Sequence, residues 1–439
     1  MKSYPPPPVA AAPWRPALSR RALLRGGAAL GAGAALGLPW SVAAQETADW
    51  PLVRAFIEDY VGSRKVANMV AALGYGQEAP HYIARGTDAF TSLRPSDRDS
   101  LYRIYSMTKP VTGMAAMMLV DEGQIGLDQP VAEVLPAFAE LQVQKVHDGP
   151  ITPDNLEPAV RPITMRHLLT HTAGLGYGIV QKGALEEAYR QAGLVPALAS
   201  RLETPGLLRG EPAPSLEAFA DRLATMPLVY QPGTRWSYSV GLDLMGRVIE
   251  VVAGMPFDRF LQTRIFEPCA MESTWFRVPE SEVGRLTANY LLVGDLLVPV
   301  DLPENSIFLD EPPFPFGGAG LVSSPADYDR FLMMLAGHGA IEGRRVMSEA
   351  AVRLGTSDLF PETMAADDPF AANYGHGAGG RVGRGERAGT YGWFGAAGTC
   401  GLVDMNSGLR HSLCTQYMPA PAYPVQERFP DLVAQEAAG

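Results

Sequence analysis

A serine and a lysine stand three residues apart in a segment that could carry nucleophilic chemistry. Ser106 and Lys109 begin a helical pattern that runs to Met118. Positions i and i+3 lie on the same face of a helix, so the hydroxyl and the amine can come within hydrogen-bonding distance. A serine attacks a carbonyl carbon when a neighbouring base takes its proton, and a lysine can be that base once burial lowers its pKa. The segment therefore predicts an activated serine.

The N-terminal end of a helix suits this chemistry for a second reason. Its first backbone N–H groups have no partner within the helix, and the helix dipole places partial positive charge there. Both features stabilise the oxyanion that forms when Ser106 attacks a carbonyl group. A Ser-x-x-Lys pair occurs by chance in many chains, so this interpretation needs further segments.

Two such segments follow in the chain. Tyr238 begins the sequence Tyr-Ser-Val, after a turn-forming Gln-Pro-Gly and directly before a helical pattern over residues 240–253. Trp393, Phe394 and Gly395 stand at the start of a predicted strand near the C-terminal end. The phenol of Tyr238 is a second group that can exchange a proton with a nucleophilic serine.

Taken together, the three segments resemble the serine β-lactamase and penicillin-binding protein superfamily. That superfamily combines a Ser-x-x-Lys motif, a Tyr or Ser motif and a Lys-Thr-Gly strand. The resemblance extends over essentially all of the chain after residue 44, and it includes residues 103–105, 168–175 and 317–321. It implies the superfamily's fold, in which an antiparallel sheet is flanked by helices.

Two departures indicate an esterase rather than a β-lactamase. Class C β-lactamases and carboxypeptidases carry Tyr-x-Asn, whereas Val240 occupies the asparagine position here. Trp393, Phe394 and Gly395 replace Lys-Thr-Gly, so the cation that pairs with a β-lactam or peptide carboxylate is missing. A Tyr-Ser-x motif with a Trp-x-Gly strand is similar to the family VIII carboxylesterases, whose usual strand motif is Trp-Gly-Gly. Phe394 departs from that motif and is expected to narrow the acyl pocket.

The resemblance implies a role for each matching residue. Ser106 attacks an ester carbonyl, and Lys109 and Tyr238 accept its proton and deliver it to the leaving alkoxide. The backbone N–H groups of Ser106 and Ala396 form the oxyanion hole. Water then releases the acyl-enzyme, and neither a metal nor an organic cofactor is required. The residues expected to contact the substrate are Trp393, Phe394, Gly395 and Tyr105.

The implied activity is hydrolysis of compact carboxylic esters by an acyl-serine mechanism. The alternatives on the same scaffold are a β-lactamase and a D-alanyl-D-alanine carboxypeptidase. A transacylase, in which an alcohol or amine replaces water, is a further hypothesis. The last is a non-catalytic protein that binds cell-wall fragments.

Hydrophobic periodicity predicts an α+β fold. Residues 50–62 read as a helix, and residues 69–75 and 81–84 read as a hairpin. Ser215 and Ser324 stand at the N-terminal ends of two predicted helices in the loop-rich middle of the chain. Strand patterns return at 388–393, 397–404 and 410–418.

The order of these elements indicates how the fold is divided. We expect an antiparallel sheet built from both chain ends and flanked by helices, with a mostly helical lobe inserted between them. Residues 45–105 and 325–439 would form the α/β sheet domain, and residues 106–324 the mostly helical domain. A cleft between two such lobes is a common place for a ligand.

The first 44 residues resemble a twin-arginine export signal. Arg20 and Arg21 precede a Gly/Ala-rich apolar run over residues 26–40, and small residues at 42–44 offer a cleavage point. A run of about 15 residues is shorter than the roughly 20 that a membrane-spanning helix needs. We therefore expect a bacterial protein that is exported to the periplasm or secreted, with no stable membrane anchor after signal removal.

Charge and composition exclude several classes of partner. The chain has 439 residues, of which 47% are hydrophobic, and a net charge of −11. The exported form is more negative, because residues 1–44 hold five basic side chains and no acidic one. A surface this acidic repels nucleic acid and anionic membranes. The expected partner is a small-molecule ester, and the oligomeric state is left open.

Two other motifs match known sites only in residue type and spacing. His167 and His171 have the i, i+4 spacing of zinc proteases, but leucine stands at position 168 and no third ligand is obvious. His171 is expected to be a structural hydrogen-bonding residue within its own loop. Gly375, Gly377 and Gly380 fit a dinucleotide fingerprint, but no amphipathic helix follows them. We expect neither a metal site nor a dinucleotide site.

The three cysteines are too few for a disulfide-stapled scaffold. Cys400 and Cys414 are equidistant from Ser407, which lies in a turn-forming Asn-Ser-Gly. In a hairpin symmetric about Ser407, the two cysteines would face each other on neighbouring strands. Both a disulfide and two buried thiols are compatible with this pattern, and the thiols are the favoured interpretation.

Overall fold

A seven-stranded antiparallel sheet dominates the structure. The computed structural model describes residues 50–202 and 210–438. Its strands, in chain order, are β1 Asn68–Tyr75, β2 His81–Gly86, β3 Tyr102–Arg103, β4 Gln142–Gln144, β5 Leu156–Pro158, β6 Asn289–Val293, β7 Leu296–Asp301, β8 Val322–Ser323, β9 Ala340–Ile341, β10 Arg344–Arg345, β11 Gly375–His376, β12 Arg381–Val382, β13 Thr390–Phe394, β14 Cys400–Asp404, β15 Leu409–Cys414 and β16 Tyr417–Met418. Seven of these strands form the sheet, in the order β11-β12-β13-β14-β15-β1-β2.

Both ends of the chain supply this sheet. β1 pairs with β15, so that Val70 lies opposite Cys414 and Tyr75 lies opposite Leu409. β2 continues the sheet on the other side of β1, and β13, β14 and β15 are consecutive antiparallel neighbours. The other nine strands of the described residues form two- and three-stranded ribbons. The predicted α+β fold, with an antiparallel sheet built from both chain ends, is therefore confirmed.

Helices occupy much of the remaining chain. They are α1 Pro51–Gly62, α2 Thr108–Asp121, α3 Met165–Leu169, α4 Ala184–Gln191, α5 Leu216–Ala224, α6 Gly241–Ala253, α7 Phe257–Leu261, α8 Glu267–Cys269, α9 Pro325–Ala336, α10 Glu349–Gly355 and α11 Val425–Ala437. Ser215 and Ser324 begin α5 and α9 as predicted, because each hydroxyl accepts a hydrogen bond from a backbone N–H in the first turn. Gly254 ends α6 in the left-handed conformation that glycine tolerates.

Helices cover both faces of the sheet. α1 and α11 pack on one face, where Phe56 and Phe429 belong to a buried apolar cluster with residues of β1 and β15. α9 packs on the opposite face and contributes Tyr328 to a larger cluster. Arg410 of β15 also donates a hydrogen bond to Asp329 of α9 over 2.9 Å, and both side chains are buried. The sheet is thus the middle of three layers.

Helix α2 crosses the interior. All of its residues from Thr108 to Leu119 are buried, as expected for a helix that is apolar on nearly every side. α6 and α10 pack against it. The chain enters α2 through a short 3₁₀ turn, Tyr105–Met107. A side chain in the first turn of α2 is therefore fixed by neighbours from several parts of the fold.

The predicted export signal, residues 1–44, lies outside the described residues. Within residues 50–202 and 210–438, no helix has the length and apolar character that a membrane crossing requires. The division into a sheet domain and a mostly helical domain at positions 105 and 325 stays a prediction.

The two sheet cysteines do not face each other. Cys400 lies opposite Leu413, so Cys414 is one position out of register and its side chain points to the opposite face. The hairpin is not symmetric about Ser407, because the Asp404 carbonyl accepts a hydrogen bond from the Gly408 N–H and the turn is shifted accordingly. Both cysteines are buried free thiols, which was the favoured interpretation.

One buried histidine in the sheet has no polar partner. The ring of His411 in β15 packs against Phe429 of α11, with 5.7 Å between ring centroids. Neither ring nitrogen has a hydrogen-bond partner in the described part of the chain. Burial lowers the pKa of His411 to about 4, and the charge of Asp404 opposes this shift only in part.

We expect His411→Phe to weaken the acid sensitivity of the fold. In the unfolded chain a histidine titrates near 6.5, about 2.5 units above its folded value here, so the unfolded state binds an extra proton as the pH falls through this range. The wild type should therefore lose about 3 kcal/mol through this residue between pH 7.5 and pH 4. Urea unfolding of both proteins at pH 7.5 and pH 4.5 measures the difference. An identical pH dependence in the variant would contradict the assignment.

Candidate active site

The predicted nucleophile follows a strained residue. Tyr105 has a φ of +41°, a left-handed conformation that costs a non-glycine residue about 1–2 kcal/mol. Its hydroxyl accepts a hydrogen bond from Asn289 Nδ2 over 3.0 Å, and its ring packs against Phe308. These contacts hold the bend in place directly before Ser106. Tyr105 is itself buried in this packing, so its predicted contact with substrate stays a prediction.

Lys109 is enclosed in the first turn of α2. Its side chain is fully buried, and Nζ donates hydrogen bonds to Ser106 Oγ over 3.1 Å and to the Gly318 carbonyl over 2.7 Å. Nζ also lies 4.6 Å from the centre of the Tyr238 ring and 5.6 Å from that of Tyr177. The structure thus brings together the serine, the lysine and the tyrosine that the three sequence segments contributed.

A glycine loop supplies the carbonyl that binds Lys109. The Gly318 N–H donates to Asp243 Oδ1 of α6 over 2.8 Å, and Thr112 of α2 donates to the Gly317 carbonyl over 2.7 Å. A Cβ on Gly318 would lie 2.6 Å from Asp243 Oδ2, so only glycine fits there. Burial raises the pKa of Asp243 to about 6, while the charge of Lys109 and the Gly318 N–H act in the opposite direction. Asp243 therefore positions the acceptor of Lys109.

Tyr238 is tied to the predicted strand motif. Trp393 of β13 is buried, and its Nε1–H donates to the Tyr238 hydroxyl over 3.2 Å. The two rings lie 5.7 Å apart. Because the indole approaches from β13 and the phenol from the residues before α6, this contact joins the sheet to the helical part of the chain. It fixes the position of the phenol oxygen.

The end of β13 lies against the backbone before Ser106. A Cβ on Gly395 would come within 2.5 Å of the Ile104 carbonyl oxygen, so the two segments touch only because residue 395 is glycine. Ala396, the next residue, is exposed, and its N–H donates no hydrogen bond within the described part of the chain. An exposed N–H without an acceptor suits the predicted oxyanion hole. The role of Ala396 in that hole stays a prediction.

Two histidines near Tyr238 were not predicted to belong to the site. The ring of His171 lies 4.8 Å from that of Tyr238 and 5.4 Å from that of His376. His171 Nδ1 accepts a hydrogen bond from the Ser239 N–H, so its partner lies outside its own loop, contrary to the prediction. Burial lowers the pKa of His171 well below its usual value and that of His376 to about 4. Both rings are therefore neutral at pH 7.

Aromatic side chains complete the enclosure. Tyr177 is buried beside Lys109, and burial together with Tyr238 and Asp243 raises its pKa well above the usual value, against a hydrogen bond with Ser106. Trp236 stacks on Phe370, with ring centroids 4.0 Å apart. Tyr177 lies two residues after the 168–175 segment, so the resemblance in that segment could have indicated it. Phe370 lies in a loop that no motif singled out, and His376 lies in β11, within the glycine pattern that was considered only as a dinucleotide fingerprint.

Comparison with known proteins identifies the family. A model of the β-lactamase family matches residues 53–434. The chain belongs to the β-lactamase family. This confirms the resemblance to the serine β-lactamase and penicillin-binding protein superfamily.

The relatives of this β-lactamase-family chain include an esterase. Esterase EstB of Burkholderia gladioli is 29% identical over 388 residues, which cover 82% of the chain and 88% of EstB. Protein Rv1367c of Mycobacterium tuberculosis is 35% identical over 264 residues, which cover 60% of the chain and 61% of that protein. The match to Rv1367c thus spans about three fifths of the length of that relative.

Solved structures show the same fold. EstCE1, described as a hydrolase with promiscuous acyltransferase activity, has a TM-score of 0.68 and 24% identity, and the match covers 88% of this chain and 97% of EstCE1. The simvastatin synthase LovD of Aspergillus terreus, as an unliganded selenomethionyl derivative, has a TM-score of 0.70 and 21% identity, with 88% and 96% covered. At these identities the likeness concerns the fold of the β-lactamase-family chain.

We expect Gly395→Ala to slow covalent labelling of Ser106. The added methyl group would clash with Thr399 Oγ1 and would lie 2.5 Å from the carbonyl oxygen of Ile104, two residues before the predicted nucleophile. Because the Ile104 atom belongs to the backbone, we expect the end of β13 to move away from it. Labelling by a fluorophosphonate probe should slow at least tenfold while circular dichroism shows a retained fold. Gly284→Ala is the matched control, because a Cβ at that exposed position meets no atom within 4 Å. Wild-type labelling of Gly395→Ala would show that this close approach does not shape the site.

Proposed function

We propose that the protein hydrolyses carboxylic esters through an acyl-enzyme intermediate on Ser106. The observation that carries this proposal is the 3.1 Å contact between Ser106 Oγ and Lys109 Nζ beside the ring of Tyr238. Among the described residues Lys109 forms no ion pair with a carboxylate, the pairing that holds an amine in its charged form. The amine is thus placed to serve as a base.

Acylation uses the three side chains in turn. As Ser106 Oγ attacks the carbonyl carbon, the amine of Lys109 takes the hydroxyl proton. Tyr238, whose ring lies beside that amine, passes its own proton to the leaving alkoxide as the carbon–oxygen bond of the ester breaks, and Lys109 returns the serine proton to the phenolate. The N–H groups of Ser106 and Ala396 stabilise the negative charge on the carbonyl oxygen. The products of this step are the alcohol and the acylated serine.

Deacylation reverses the proton path with water in place of the alcohol. Water attacks the acyl carbonyl and gives its proton to the Lys109–Tyr238 pair, which returns it to Ser106 Oγ. The carboxylic acid leaves and the enzyme is regenerated. No metal and no organic cofactor enters these steps.

The surroundings of Tyr238 support an ester in preference to a β-lactam. Trp393 stands where β-lactamases carry a lysine, and its one N–H is already donated to Tyr238. Aromatic rings therefore face the reacting groups at the start of the strand motif. Such a wall favours an uncharged acyl or alcohol group next to the ester bond.

We expect Tyr238→Phe to lower kcat by about 100-fold or more, because the variant keeps the ring but loses the group that passes the proton. Ser106→Ala should abolish turnover and leave the fold intact. The measurement is hydrolysis of p-nitrophenyl butyrate. Tyr290→Phe is the matched control, because Tyr290 packs in an apolar cluster with Ala67, Ala89 and Ala288 that holds none of the proposed site residues. It removes the acceptor of a hydrogen bond that the Phe90 N–H donates, so about 1 kcal/mol of stability is lost and the rate stays within twofold. Equal rates in Tyr238→Phe and the wild type would remove the phenol from the mechanism.

A second assay separates the ester from the β-lactam. Turnover of a chromogenic cephalosporin is measured beside that of p-nitrophenyl butyrate, and we expect the ester to be the better substrate by kcat/KM. A cephalosporin rate far above the ester rate would overturn the proposed substrate class. It would leave the acyl-serine mechanism in place.

Acyl transfer is the second candidate function. EstCE1 is a hydrolase with promiscuous acyltransferase activity, and the site of this chain has the aromatic wall that disfavours water near the acyl group. An added alcohol would then compete with water for the acyl-enzyme. Product analysis with an added short-chain alcohol distinguishes the two, and we expect free acid to predominate.

We propose in addition that the protein is exported in folded form. The support is the Arg20-Arg21 pair ahead of an apolar run and small residues at 42–44. In a bacterial host with a twin-arginine pathway, the esterase should accumulate outside the cytoplasm. Replacement of both arginines by lysine should retain it in the cytoplasm with the first 44 residues attached, and export of that variant would contradict the proposal.

A further inference from the structure

The guanidinium group of Arg381 in β12 lies over two aromatic rings. Its guanidinium carbon lies 4.4 Å from the centre of the Tyr374 ring and 4.6 Å from that of Phe394. A ring face stabilises a cation but offers no ordinary hydrogen-bond acceptor, so these contacts leave the guanidinium N–H groups in need of one. In residues 50–202 and 210–438, no acceptor forms a hydrogen bond or an ion pair with this side chain. The planar edge of the guanidinium is therefore available to a ligand.

Comparison with the other described arginines shows that a half-buried guanidinium without a hydrogen-bonded or ion-paired partner is unusual. Arg384 pairs with Asp358, and Arg387 pairs with Asp431. The other arginines without a hydrogen-bonded or ion-paired partner among the described residues are exposed to solvent, whereas Arg381 is half-buried. These exposed arginines are Arg64, Arg259 and Arg428.

Partial burial makes the missing acceptor significant. Water hydrates an exposed guanidinium on all sides, but two rings lie against that of Arg381. Burial accordingly lowers the pKa of Arg381 from its ordinary value. A charged group taken partly out of water is stabilised when a counter-charge binds it, and a carboxylate matches the guanidinium edge with two parallel hydrogen bonds.

The cation belongs to the same wall as the proposed catalytic tyrosine. From Arg381 one line of ring contacts leads through Phe394 to Trp393, with 6.4 Å between those two centroids, and on to Tyr238 over 5.7 Å. A second line returns to Tyr238 through three other rings. Its members are Tyr374, Phe370 and Trp236. Both lines thus connect Arg381 with Tyr238 through neighbouring aromatic rings.

We propose that Arg381 binds a carboxylate at the far end of the substrate, so that the preferred esters carry an anionic group remote from the ester bond. This inference rests on the proposed function and names its substrate class. Aromatic rings line the path between the two ends, so the connecting part of the substrate is apolar. Binding involves hydrogen bonds and ion pairing only, and no bond of the substrate changes at Arg381.

The test compares anionic with neutral esters. One series consists of mono-p-nitrophenyl esters of succinic, glutaric and adipic acids, and the other of butyrate esters of 3- and 4-hydroxybenzoate. p-Nitrophenyl butyrate and phenyl butyrate are their neutral counterparts. The readout is the ratio of kcat/KM for each anionic ester to that of its neutral counterpart. The two series report whether the carboxylate belongs to the acyl or to the alcohol part.

We expect Arg381→Gln to lower this ratio at least tenfold for at least one anionic ester, mainly through KM. Arg381→Lys should retain part of the ratio, since it keeps the charge but loses the two-pronged hydrogen bonding. Arg387→Gln is the matched control, because it removes the same charge from the same segment at an exposed ion pair. A ratio that is unchanged for every ester in Arg381→Gln, or lowered equally in Arg387→Gln, would overturn the proposal.

A binding measurement separates this inference from the proposed function. Calorimetry with Ser106→Ala and monomethyl glutarate needs no turnover, and we expect binding that is lost in the double variant Ser106→Ala/Arg381→Gln. If the wild type hydrolyses no ester but this difference in binding is found, the proposed function fails and the anion site stands. If neutral esters are hydrolysed and monomethyl glutarate binds both variants equally, the anion site fails and the ester hydrolase stands.

Discussion

A buried lysine that forms no ion pair with a carboxylate among the described residues is the constraint around which the site is built. Its side chain is fully buried, so every donor of Lys109 Nζ must find an acceptor within the protein. Two acceptors are supplied, Ser106 Oγ from the preceding turn and the Gly318 carbonyl from a distant loop. Two phenol rings cover the remaining sides. Because the proposed nucleophile is one of the two polar acceptors that residues 50–202 and 210–438 supply, the contact that makes burial of the amine tolerable also joins the serine to its proposed base.

This constraint explains why distant segments must meet. The Gly318 carbonyl is held by Asp243 through the Gly318 N–H, so α6 determines where the acceptor lies. The phenol of Tyr238 precedes the same helix and is held in turn by Trp393 of the sheet. A displacement of α6 would therefore move both the acceptor and the phenol relative to Lys109. A carboxylate ion-paired with the amine would satisfy the hydrogen-bond donors of Lys109 more simply. Such a pair would also hold the amine in its charged form, which cannot accept a proton.

The sequence predicts the parts of this arrangement that depend on local spacing. The i, i+3 relation of Ser106 and Lys109 follows from helical geometry, and the helix starts at Ser215 and Ser324 follow from their capping hydroxyls. The register of Cys400 does not follow, because one hydrogen bond within the turn decides whether the hairpin is centred on a residue or between two. The contact of Arg381 with two aromatic rings cannot be predicted from the sequence either. It depends on how a loop and two strands pack, and no periodicity in the chain records that.

The position of positive charge distinguishes this site from one that binds a carboxylate beside the scissile bond. A cation at residue 393 would stand directly against the phenol of Tyr238, whereas the indole there leaves the reacting groups among neutral rings. Arg381 stands one strand away and is separated from Trp393 by the ring of Phe394. Electrostatic attraction between unit charges weakens with distance and is strongest where water is displaced. In the proposed binding mode, Arg381 therefore acts on the far end of a bound molecule and has little effect on the proposed proton transfers at Ser106, so recognition and chemistry would be divided between the two ends of one line of aromatic rings.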